Sequence, residues 1–158
     1  MTPLIIIFKV EKYGNHCGIY FESIGYFDLS LIGTRELSLK DSKLPKTRAN
    51  IYKFIEAEYH KSINFYRKQA RLPREIIEME KQERGWHLTK FAGDFILTFR
   101  NKRSMAVESQ NCVEWLLYGL ELSGKQFPND IVTPEQLDKW CKANLETIGN
   151  NVCLQEFE

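Results

Sequence analysis

The chain lacks a long apolar run. Its longest, Leu4 to Phe8, is far short of the roughly 20 residues that cross a bilayer, and shorter than the apolar core of a signal peptide. It also lacks an excess of either charge sign: 22 Lys and Arg stand against 21 Asp and Glu, for a formal net charge of +1. No global field advertises a polyanionic partner, so a nucleic-acid-binding domain is disfavoured, and no transmembrane segment is expected. The four cysteines, Cys17, Cys112, Cys141 and Cys153, lack CxxC spacing, which argues against a structural zinc site and against a disulfide framework. Reduced thiols, no metal, no cofactor and a cytoplasmic location are the expectations. Internal repeats and low-complexity segments are absent too, which excludes a solenoid or a disordered linker.

What remains is the composition of an ordinary globule, 43% apolar and 27% charged over 158 residues, which fits one domain, 1–158, with a real core. "PLIIIFKV", "HCGIYFE" and "GYFDLSLIG" read as three strands joined by short connections, hence an antiparallel meander. Alternation assigns faces. Cys17, Ile19 and Phe21 share one face with the greasy Phe27, Leu29 and Leu31 side of the next strand. His16, Gly18 and Tyr20 share the other, so His16 and Asp28 fall on one side of the sheet.

From about 48 to 84 the steps between Ile51, Phe54, Ile55, Tyr59, Ile63 and Tyr66 predict helix, with Pro73 opening a second piece. Its mixed charges form a solvated face. "FAGDFILTF" at 91–99 predicts a further strand, ended by a turn at "NKRS". Val113, Leu116, Leu117 and Leu120 predict a helix, capped by Ser109 or Asn111 and stopped by Gly124, with Cys112 in its first turn. "TPEQLDKWCKANL" carries a capping box: Thr133 caps, Pro134 takes the first helical position and Gln136 closes the box. Sheet plus helices in this order makes an α+β fold.

Cys112 is the candidate with useful chemistry. A thiol attacks as thiolate, and the unpaired N–H groups of a helix's first turn favour that anion. His16 could serve as the base, Asp28 could hold its ring, and the amide of Cys112 could donate to an oxyanion. A buried, inert thiol is the common alternative for any such cysteine.

Together, "NHCGIYFESIGYFDLSL" and "QNCVEWLLYGLELSGKQFPNDIVTPEQL" resemble the circularly permuted papain-like thiol hydrolases. That group joins YiiX-like amidases with lecithin:retinol acyltransferase-like enzymes and is a permuted relative of the NlpC-type peptidases. His16, Gly18, Ile19 and Tyr20 match its H-x-G-I-Y strand, and Asp28 stands where its third polar residue falls. Asn111, Cys112 and Trp115 match the nucleophile segment; Phe127, Pro128, Thr133, Pro134 and Leu137 match the stretch after it. Cys17 replaces the usual aliphatic residue after the histidine.

The resemblance implies a permuted papain-like fold carrying a helical insertion at about 48–84. It also implies a cysteine-dependent hydrolase or acyltransferase that cleaves an amide or ester of a peptide, lipid or small molecule. Cys112 would be the nucleophile, His16 the base and then acid, and Asp28 the orienting group. The competing expectation is a catalytically silent binding or scaffold module that uses the 48–84 region to hold a partner.

Overall fold

A computed structural model describes residues 1–10, 14–30, 33–71, 86–91, 94–99 and 108–157, with the backbone alone given for 86–91, 94–99 and 108–111. The fold is α+β. Six strands form an antiparallel sheet: β1 (Leu4–Val10), β2 (Gly14–Phe21), β3 (Gly25–Ser30), β4 (Gly33–Leu37), β5 (Arg48–Lys53) and β8 (Glu146–Cys153), in the spatial order β4-β3-β2-β1-β5-β8. A separate hairpin pairs β6 (Trp86–Phe91) with β7 (Asp94–Phe99). Among the described residues the α-helices are α1 (His60–Arg71), α2 (Glu108–Glu121) and α3 (Pro134–Asn144).

The meander forms as its alternation predicts. β1 sends Ile5 and Ile7 to one face and Ile6 and Phe8 to the other, and every one of these four is buried. One face, with Cys17, Ile19, Phe21, Phe27 and Leu29, packs under the helices. On the other, Ile6, Phe8, Tyr26, Ala49 and Ile51 pack with Leu44 and Leu154 from outside the sheet. Leu31 lies outside the described residues.

The helical reading of 48–84 is corrected. Residues 48–53 are β5, which pairs with β1 on one side and β8 on the other, and helix begins only at His60. Ala49 and Ile51 pack on one face of the sheet while Tyr52 packs on the other. With both faces covered, β5 loses the polar–apolar alternation that marks a half-buried strand. Ile55, placed on the helix's apolar stripe, is 52% exposed in the connection that follows. Only Ile63 and Tyr66 of that stripe lie on α1, where they are buried with Phe65. Pro73 and the "NKRS" turn lie outside the described residues.

Besides β5, three strands escaped the sequence reading: β4, β6 and β8. β4 adds the outer edge of the meander, and β8 occupies what read as a tail around Cys153. The single strand expected at 91–99 is the second half of the β6–β7 hairpin. α3 forms as its box dictates: Thr133 accepts from the Gln136 N–H, and Gln136 accepts from the Thr133 N–H at 3.1 Å.

α2 is held over the sheet by α1. Ser62 on α1 donates its hydroxyl to the Gly119 carbonyl at 2.6 Å, and the Tyr66 hydroxyl donates to the Leu116 carbonyl. The Tyr66 ring also lies 4.7 Å, centroid to centroid, from Trp115. These contacts fix the helix that carries Cys112.

Candidate active site

β2 and β3 bring the first two candidates together. Ile19 pairs with Phe27, so one step further Gly18 faces Asp28, and His16 becomes Asp28's diagonal neighbour on the same face. The His16 Nε2 atom lies 2.7 Å from Asp28 Oδ2. Phe8, opposite His16 on β1, stacks on the imidazole with centroids 6.0 Å apart. Between the two polar residues the Tyr26 ring lies across Gly18 and donates its hydroxyl to Asp28 Oδ2 at 2.8 Å. A Cβ at position 18 would stand 2.2 Å from that hydroxyl oxygen, which is why the H-x-G spacing needs a residue without a side chain.

Asp28 is fully buried and accepts from a third residue. Arg35, its cross-strand partner on β4, donates from Nε to Oδ1 at 2.8 Å and from Nη2 to Oδ2 at 2.6 Å. A bidentate fork of this kind fixes the plane of a carboxylate as well as its charge. Burial alone would raise the Asp28 pKa, but the His16 charge and the hydrogen bonds from Arg35 and His16 lower it to about 2.

Cys112 arrives from the helical side. It is 3% exposed and packs in the same apolar cluster as Cys17 and Leu29, yet it is within hydrogen-bonding reach of His16. Asp28 engages Nε2, so Nδ1 is the ring nitrogen left for the sulfur. Cys17 also bonds to Cys112, through both its thiol and its backbone N–H. Adjacent residues of a strand point to opposite faces, and both His16 and Cys17 reach one sulfur. The sulfur therefore sits at the edge of β2 rather than over either face. Room for it exists because the pairing of β2 with β3 covers only Ile19 to Phe21. Where β3 departs, the Cys17 N–H no longer has a ladder partner there, and the sulfur takes its place.

The electrostatics follow from those contacts. Burial pushes the Cys112 thiol up, but hydrogen bonds from Cys17 and His16, with the His16 charge, lower its pKa to about 5. Burial opposes charge on His16 as well, but the Asp28 charge and hydrogen bond outweigh it, with Cys112 adding to them, and the ring's pKa rises to about 10. Cys17 is driven the other way, first by burial and then by Cys112, so it stays a thiol and serves as donor. A thiolate beside an imidazolium is the favoured state near neutrality, and such a pair is a nucleophile with its acid already loaded.

One expectation about Cys112 is corrected. α2 begins at Glu108, so Cys112 lies past the first turn and Asn111 and Ser109 lie inside the helix rather than before it. The amide of Cys112 then follows Glu108 by four residues, the spacing of an internal helical hydrogen bond, and is not one of the helix's unpaired donors. The helix-end field also fades beyond the first turn. Cys17 supplies the hydrogen bonds that the helix terminus was expected to give.

The remaining candidates stay apart from the site. His60 opens α1 with its side chain 68% exposed, facing Glu58. Cys141 is buried in α3, and Cys153 donates to Gln155 at the far edge. A groove of about 820 Å³ lies between Leu4, Tyr20, Leu39 and Phe157, and none of Cys112, His16 and Asp28 lines it. Among the described residues no group of three or more His, Cys, Asp and Glu is placed to hold a metal ion, and no helix is long and apolar enough to cross a membrane.

Sequence reasoning missed Arg35, Tyr26 and Cys17. Tyr26 had a signal, since it shares the Asp28 face by alternation; Arg35 had none while β4 went unread. The geometry defines a buried thiol–imidazole–carboxylate constellation on a mixed sheet-and-helix scaffold. No family model matches the chain, and neither does any curated protein or solved structure.

Proposed function

We propose that the chain is a cysteine-dependent hydrolase or acyltransferase with a circularly permuted papain-like arrangement. Cys112 attacks the carbonyl of an amide or ester, and a thioester acyl-enzyme forms as the amine or alcohol leaves. His16, already protonated in the resting pair, gives its proton to that leaving group through Nδ1. It then takes a proton from water, or from an acceptor amine or alcohol, which releases the acyl group. Asp28 keeps the ring oriented and steadies its charge. The carrying observation is the continuous hydrogen-bonded run from Cys112 through His16 to Asp28, in the order His, Asp, Cys along the chain.

Limited alkylation with iodoacetamide at pH 6, mapped by mass spectrometry, tests the site. Cys112 should be modified at least tenfold faster than Cys17, Cys141 or Cys153, and Cys112→Ala should remove both that label and any acyl adduct left by activated esters. Equal labelling of all four thiols sinks the proposal.

One observation favours the alternative of a silent binding module: Cys112 is 3% exposed, so substrate reaches the sulfur only after neighbouring atoms move. A silent module would still show the fast thiol, but it would form no acyl adduct with any ester or amide offered.

A further inference from the structure

The charges around Cys112 alternate along one line: thiolate, imidazolium, carboxylate, guanidinium. Arg35 ends that line. Its side chain is only 14% exposed, and it spends two of its nitrogens on Asp28 and a third on the Lys43 carbonyl at 3.2 Å. A surface ion pair would need none of this. A buried carboxylate whose outer oxygen already accepts from His16 and Tyr26 gains from Arg35 both a fixed plane and a countercharge.

We propose that Arg35 is a positioning residue of this site. It cancels and aims the Asp28 charge, so that the Cys112 thiolate and the His16 imidazolium sit in a cluster of zero net charge. The inference rests on the thiol–imidazole reading above but not on any particular substrate. Without Arg35 the buried cluster would carry one uncompensated negative charge, and the simplest remedy is to keep a proton that the native site releases. Of the two anionic positions, Asp28 is held by His16 and Tyr26, so the proton returns to Cys112.

Other groups face the pair from each neighbouring element. Cys17 on β2 donates to the sulfur, and Cys141 on α3 lies beyond it; Tyr26 on β3 donates to Asp28. Asp41, in the connection after β4, faces Arg35 from behind. Cys17, Cys141 and Tyr26 are held in their neutral forms by burial, so none of them can replace the guanidinium's charge.

The test is the pH dependence of iodoacetamide alkylation at Cys112, which needs no substrate. In the native protein the acid limb should fall near pH 5. In Arg35→Met it should move up by roughly one unit, and in Arg35→Lys, which keeps the charge but loses the fork, it should stay within a few tenths of native. If Arg35→Met does not fold, Arg35→Gln serves in its place, keeping a donor for Asp28 without the charge. A folded Met or Gln variant with the native limb overturns the proposal, and so does a Lys variant that shifts as far as the Met one. A native protein with no low-pH limb at all would instead overturn the thiolate reading itself.

Discussion

At the scale of single residues, Gly18 decides whether the polar group can assemble. The Tyr26 ring occupies the space where any other side chain would begin, and that ring's hydroxyl is one of the four hydrogen bonds to Asp28. Gly18→Ala should destabilise the fold by about 1–3 kcal/mol, the ordinary cost of overpacking, read from the urea midpoint. It should also slow Cys112 alkylation at pH 6, because displacing Tyr26 disturbs the carboxylate that holds His16. A variant with lowered stability and native alkylation would separate the ring's packing from the site. The residue scale is also where the sequence was most informative. His16 and Asp28 could be placed on one face by counting, because in β2 and β3 the aliphatic residues alternate with polar and aromatic ones even though both faces of the sheet are packed. Cys112 could be placed near them only through the family resemblance, since ninety-odd intervening residues carry no distance information.

At the scale of elements, the position of α2 rests on α1. A Cβ on Gly119 would stand 2.3 Å from the Tyr66 ring, so Gly119→Ala must push the two helices apart or twist Tyr66 off the Leu116 carbonyl. The expected loss is about 1–3 kcal/mol, checked by thermal or urea unfolding, and the displaced α2 should slow Cys112 alkylation as well. An unchanged midpoint would mean that the helices slide freely, contrary to the Ser62 and Tyr66 contacts.

Elements were also where sequence reading failed, for physical reasons that can be named. β5 is buried on both faces, so "ANIYK" shows neither alternation nor a break, and the steps from Ile51 to Tyr66 imitate a helix while crossing two elements and a loop. β8 is an edge strand with mostly exposed side chains and thus lacks an apolar signature. α3 was fully legible, because capping is a local interaction between Thr133, Pro134 and Gln136 that needs no tertiary partner.

At the scale of the whole molecule, the thiolate ties stability to pH. The folded Cys112 pKa of about 5 lies below its ordinary value of 9.0. Between those values the unfolded chain holds a proton that the folded one has released, so folding gains with rising pH. The gain is complete above pH 9 and lost as pH falls through 5. His16 has the opposite sense: its pKa rises from 6.5 to about 10, so its contribution is complete below 6.5 and lost as pH rises through 10. From pH 6.5 to 9 the two slopes cancel in the native protein. The stability difference between native protein and Cys112→Ala should therefore grow as pH rises from 5 towards neutrality, where Cys112 is ionised only in the folded chain, measured by urea unfolding across that range. A difference independent of pH would mean that Cys112 is an uncharged thiol in the folded state.

His16 and Cys17 stand side by side on one strand and meet the same sulfur from opposite faces of the sheet. The sheet thus acts as a partition that opens where β3 leaves β2. Apolar residues pack on both sides, but the charged partners of the sulfur, His16, Asp28 and Arg35, lie on one of them, and Cys17 donates to it from the other. A site divided in this way can retune its charged half at Asp28 and Arg35 while the helical half keeps its packing, and Cys17 is the residue through which the two halves stay coupled.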